Sequence, residues 1–276
     1  MAPPTKKPTT GAAMWGTGTL GGPPGGLRAE LVPMEPTRRL ADLVLEDDLL
    51  TGLRRVLREH ERSRELYASG FAPTRKVLLH GPPGCGKTST GEAMASELGL
   101  PLVRVDAAMV VRSHLGETGQ RIGELFRAMD DLPGVWLLDE VDAMAPARGA
   151  GGDLAEMSRA VAAVLTGIER WKGIGLVIAC TNLPDRLDRA LWRRFDVVLG
   201  YSQPSPMHMA RIARRACGKM DVRAVDWHEV EAAVTGRSPA DVEAATRRAA
   251  VDAILDGRTA MNTDDLVGAL RARHRA

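Results

Sequence analysis

One octapeptide constrains this chain more than any other feature. Gly81-Pro82-Pro83-Gly84-Cys85-Gly86-Lys87-Thr88 follows the apolar run Val77–His80 and opens a helix-forming stretch from Lys87 to Leu98. The pattern is G-x-x-x-x-G-K-[ST], in the strand-to-helix setting that gives it meaning. Its glycines let successive backbone N–H groups wrap phosphate oxygens, and the helix N-terminus behind them adds a positive dipole. Lys87 brings a point charge to the β- and γ-phosphates, and Thr88, followed by Ser89, offers a hydroxyl to Mg2+. A plain Gly-Pro turn has no use for the closing Lys-Thr pair. Cys85 reads as a small filler in the loop. The octapeptide therefore implies a site for a nucleoside triphosphate and its metal.

The surroundings agree with that setting. Apolar runs at Val77–His80, Leu102–Val105, Val135–Asp139, Gly175–Asn182 and Asp196–Tyr201 alternate with helical stretches at Lys87–Leu98, Thr118–Met129 and Leu154–Trp171. Strands that are nearly all apolar and separated by helices predict a parallel sheet covered on both faces. After Pro204 the strand signal stops. Helices are predicted at about Pro206–Lys219, Asp226–Val234, Pro239–Leu255 and Thr263–Arg273, the third capped by Ser238 with Pro239 in its first turn. The predicted organisation is an α/β subdomain over residues 37–203 and a small all-helical subdomain over 204–276. Residues 1–36, crowded with Gly and Pro and lacking apolar periodicity, read as a flexible tail.

Composition excludes several classes of function. The chain's 37 basic residues against 35 acidic ones leave a formal charge of +2, too near balance to imply nucleic acid as a partner. No apolar run approaches the ~18–20 residues of a membrane span. Cys85, Cys180 and Cys217 are odd in number, widely spaced and read as reduced thiols. A soluble, cytoplasmic protein with neither a membrane nor a nucleic acid as partner is the expectation.

Two further signals carry chemistry. Val135-Trp136-Leu137-Leu138 ends in Asp139 and Glu140, and acids at the carboxyl end of a buried strand sit where open α/β sheets bind ligands. Asp139 suits holding Mg2+ through water, and Glu140 suits polarising the water that attacks the γ-phosphate. Asp142 is expected to be structural. Asn182 closes the next apolar run, from where its amide would orient that water.

In this order, GPPGCGKT, LLDEVDAMAPAR (137–148), ACTN (179–182), LDRALWRRFD (187–196) and GRSPADVEAA (236–245) resemble the AAA+ ATPases, within them the AAA clade proper. The resemblance covers about Leu40 to Leu270 and implies a P-loop sheet of order 5-1-4-3-2, a helical lid, and ATP with Mg2+ as cofactors. It implies arginine fingers at Arg193 and Arg194, which reach the γ-phosphate of a neighbouring copy in a closed ring, a hexamer. It does not say which of these adjacent arginines reaches across. It aligns His114-Leu115-Gly116 with the central pore loop, His114 standing where the family has an aromatic, and Gly149–Asp153 with a second loop. Gly70, Phe71 and Ala240 fall at the walls of the adenine pocket. The activity implied is ATP hydrolysis coupled to remodelling, unfolding or disassembling a protein partner. A slow nucleotide-gated scaffold that controls a partner enzyme without threading is the alternative. A DNA-processing role is a third, carried only by the basic end at Arg271, Arg273 and Arg275.

Overall fold

In the computed structural model the described residues are 31–106, 118–144, 154–187 and 189–272. They divide into two compact units, one drawn from Met1–Asp42, Thr51–Gly81 and Lys87–Gly200, the other from Leu43–Leu50, Pro82–Gly86 and Tyr201–Ala276.

The first unit holds a sheet whose strands are β1 (Pro33–Met34), β2 (Lys76–His80), β3 (Leu102–Asp106), β4 (Gly134–Asp139), β5 (Gly175–Thr181) and β6 (Val197–Gly200), in the order β1-β3-β4-β5-β2-β6. Counted from β2, the parallel strands run 5-1-4-3-2, as the resemblance implies. The difference lies at the edge. Pro33–Met34 falls in the stretch expected to be a flexible tail, yet it pairs antiparallel with β3 through Pro33 beside Val103 and Met34 beside Leu102. Two residues, one a proline, carry too little alternation to read as a strand, and proline is admissible there because an edge strand need not donate on both sides.

Helices α3 (Lys87–Leu98), α4 (Thr118–Asp131) and α5 (Leu154–Arg170) cover the sheet. Side chains alternate along β4. Trp136 and Leu138 join Ile122, Leu125, Phe126 and Met129 of α4 and Val164 and Ile168 of α5 in one continuous core. Leu137 faces the other way, against Gly91 of α3, where an added Cβ would lie 2.8 Å from Leu137 Cδ1. Every residue of β4 is buried, which is why that run reads as unbroken apolar sequence. Preceding the sheet are α1 (Asp47–Glu61) and α2 (Ser63–Ala68), and the short α6 (Arg189–Trp192) leads into β6.

The second unit gathers α7 (Pro206–Ala216), α8 (Trp227–Ala233), α9 (Pro239–Leu255) and α10 (Thr263–Arg271) around a core that includes Met209, Val230, Val242, Met261 and Leu266. Each start is capped by an identifiable side chain: Ser205, Asp226, and the reciprocal capping boxes Ser238–Asp241 and Asn262–Asp265. Among the described residues no helix is long and apolar enough to cross a membrane.

Two glycines test this packing. Gly175 starts β5 at φ +121°, and a Cβ there would meet the Gly134 carbonyl oxygen at 2.0 Å. Gly175→Ala is expected to lose about 3 kcal/mol or more of unfolding free energy, from strained backbone and a clash with main chain. Gly123, exposed on α4 with open space at its Cβ, should gain about 0.5–1 kcal/mol as Gly123→Ala. Denaturant unfolding of the two variants reads both signs.

Candidate active site

The phosphate loop leaves β2 with glycines in backbone conformations that L side chains avoid: Gly81 at φ +140°, Gly84 at +73° and Gly86 at +91°. Gly81 N–H donates to the Thr181 carbonyl (3.2 Å), tying the start of the loop to the end of β5. Lys87 is buried, and its Nζ donates to the Gly81 carbonyl at 2.8 Å. An ammonium group out of water is expensive unless anionic or carbonyl oxygens surround it. Burial, and then the nearby Lys87 ammonium, hold the His80 imidazole below its usual pKa. His80 meets Trp192 edge to face, ring centroids 5.0 Å apart.

Three acids within four residues take three different environments. Asp139 is buried, and its Oδ2 accepts from Thr88 Oγ1 (3.1 Å) and from Arg104 Nη2 (2.8 Å). Its Oδ1 accepts from the Glu140 N–H at 3.1 Å. Glu140 is exposed and sits at φ +54°, the positive-φ residue among the described ones that is not glycine. Such strain persists where surrounding structure imposes it, commonly at functional positions. Asp142 accepts from Thr181 Oγ1 (2.7 Å) and from the Asn182 N–H (3.1 Å), so it fixes the end of β5. Asn182, partly buried, thus stands at the carboxyl edge of the strand adjacent to β4. Burial first, then the Asp139 carboxylate, push the Cys180 thiol far above its usual pKa, which makes it chemically inert.

The two adjacent arginines differ. Arg194 forms an ion pair with Glu169 of α5, while Arg193 is exposed and has no ion pair or hydrogen bond among the described residues. Ser89 accepts from Arg38 Nη1 at 3.0 Å, and Arg38 also approaches Glu92 of α3. Gly70 has φ +82° and Phe71 is largely exposed. Within the second unit a Cβ on Gly84 would lie 3.2 Å from Ala240 Cβ and from Ser238 Oγ, so only glycine lets the loop lie against the start of α9. Cys85 is buried, its Sγ 3.9 Å from the Pro83 carbonyl, while Pro82 is exposed. His114, Leu115, Gly116 and the loop 149–153 lie outside the described residues.

Sequence reasoning passed over Arg104. A signal was there, a lone charge inside the apolar run Leu102–Val105, but its partner emerges only from strand register. The residues that surround Asp139 suit the expected metal. A carboxylate and a hydroxyl are hard oxygen donors, two of which with phosphate oxygens make the usual protein contribution to a Mg2+ site. The positive-φ loop and buried Lys87 likewise suit a polyphosphate.

A strand–glycine loop–helix with its lysine buried, in one sheet with a parallel strand that ends in acids, defines a P-loop nucleotide-hydrolysing fold. The profile of the ATPase family associated with various cellular activities (AAA) matches residues 77–203. An uncharacterized AAA family ATPase of Sinorhizobium fredii is 36 % identical over 245 residues, 88 % of this chain and 74 % of that one. A proteasome-activating nucleotidase of Thermococcus onnurineus is 33 % identical over 244 residues, covering 85 % of this chain and 61 % of the relative. The crystal structure of the FIGL-1 AAA domain superimposes with a TM-score of 0.68 over 87 % of this chain and 85 % of that one, at 24 % identity, a likeness of fold. The chain belongs to the AAA family and is an ATPase.

Removing the loop's ammonium tests the site without disturbing the core. Lys87→Ala is expected to weaken ATP binding about 100-fold, the loss of one or two charge-assisted hydrogen bonds. Its thermal midpoint should fall by a few degrees, since the Gly81 carbonyl loses its buried partner. Calorimetric titration with ATP reads the first and a melt the second; an unchanged Kd would remove Lys87 from the site.

Proposed function

We propose that this ATPase works as a closed ring of copies, a hexamer, in which each nucleotide is held by one copy and acted on by the next. Lys87 and the loop Gly81–Ser89 hold the phosphates of ATP. Thr88 and Asp139 hold Mg2+, which when bound neutralises phosphate charge. Glu140 polarises the attacking water, its exposed carboxylate facing outward from a strained backbone. Asn182 orients that water from the neighbouring strand, with Asp142 fixing its backbone. Gly70 and Phe71 contact the base.

The observation that carries the ring is the asymmetry of the arginines. Arg194 is engaged by Glu169 of its own chain, whereas Arg193 presents a guanidinium to solvent with no partner among the described residues. That supports Arg193 as the finger reaching a neighbour's γ-phosphate and Arg194 as the residue that positions it. The work that ATP hydrolysis drives is remodelling of a protein partner in a cytoplasmic setting. Support comes from the relatives named proteasome-activating nucleotidase, with His114, Leu115 and Gly116 as the segment that grips polypeptide.

Specific ATPase activity should therefore rise with protein concentration through the range in which the ring assembles. Activity flat across that range overturns the shared site. Arg193→Ala should lower turnover by about 10³-fold while ATP binding persists, and Arg194→Ala by much less. Glu140→Gln should bind ATP, assemble and stall, and the protein it retains in ATP identifies the partner by mass spectrometry.

A further inference from the structure

We infer that Arg104 is the charge that sets how tightly this site takes Mg2+, a conclusion that rests on Asp139 and Thr88 being the metal's pair. On β3 Arg104 is the exposed position between buried Val103 and Val105. Register places it beside Leu137, and Leu137 and Asp139 share a face of β4 because side chains alternate with period two. From there its Nη2 reaches Asp139 Oδ2 at 2.8 Å, the same oxygen that accepts from Thr88 Oγ1.

The carboxylate expected to serve the metal thus already carries a full counter-charge. Both Asp139 oxygens are engaged, one by Arg104 and Thr88 and the other by the Glu140 N–H. Mg2+ entering here meets a guanidinium of its own sign and must share or displace it. The pair is asymmetric in exposure, 55 % for the arginine side chain against 13 % for the aspartate, so Arg104 has water to move into while Asp139 stays. Arg104 is accordingly a positioning and tuning residue. It neutralises Asp139 while no metal is bound and weakens Mg2+ binding, so that the metal settles only when phosphate oxygens supply the remaining charge.

The test separates charge from hydrogen bonding. Arg104→Gln keeps a donor and loses the charge, and Arg104→Lys keeps the charge. Both sit at a half-exposed position that should fold as the unsubstituted chain does. The readout is the Mg2+ concentration that half-saturates the affinity change for a fluorescent ATP analogue, starting from protein freed of metal. Mn2+ binding without nucleotide is followed alongside by electron paramagnetic resonance. Arg104→Gln should lower the half-saturating Mg2+ about ten-fold and reveal Mn2+ binding without nucleotide, while Arg104→Lys stays within about two-fold of the unsubstituted protein. An Arg104→Gln protein whose Mg2+ requirement is unchanged or raised, with the Mg2+ response still abolished by Asp139→Asn, overturns this inference alone. A Mg2+ response that survives Asp139→Asn overturns the metal assignment beneath it as well.

Discussion

A buried ammonium at the carboxyl edge of a parallel sheet is the constraint on which the rest of the first unit depends. Lys87 is withdrawn from water and reaches the Gly81 carbonyl across a loop whose glycines occupy conformations closed to other residues. Such a charge is tolerable only where oxygens converge on it, and that convergence needs β2 flanked by strands running in the same direction. β5 on one side and β6 on the other provide it, and the Gly81 N–H bonded to the Thr181 carbonyl ties the end of β2 to the end of β5. The packing of α3 through Gly91 on Leu137 then sets where Thr88 meets Asp139. Helix and acidic strand end are one mechanical piece.

The acids at the end of β4 show how environment divides chemically similar groups. Asp139 is buried and saturated with donors, Asp142 serves the backbone of β5, and Glu140 alone of the three is exposed, on a left-handed residue. Only the last is free to meet water, which is what a general base requires. Asp139 instead has the steady, hydrogen-bonded setting that suits holding a cation. The same division separates the arginines that follow α6, one spent on Glu169 and one facing outward.

Much of this was legible in the sequence because local signals and long-range structure agree. The helices Lys87–Leu98 and Pro239–Leu255 begin where the glycine loop and the Ser238 cap say they should. The order of the parallel strands followed from the resemblance. What escaped were particular pairings between side chains or edges distant in the chain. Pro33–Met34 forms a strand only because β3 offers an edge. Arg104 gains its meaning from the register of β3 on β4. Arg193 and Arg194 are indistinguishable by position and become distinct only through Glu169 on α5.

The central claim is that each site is divided between two copies of the chain, phosphate cradle and base on one, Arg193 on the other. Its most direct test mixes Glu140→Gln with Arg193→Ala, each inactive by itself, and measures ATP hydrolysis across a range of ratios. Mixed assemblies contain junctions where an intact Glu140 meets an intact Arg193, so activity should return and peak at intermediate ratios. Mixtures that assemble together and stay as inactive as either variant alone would contradict the account.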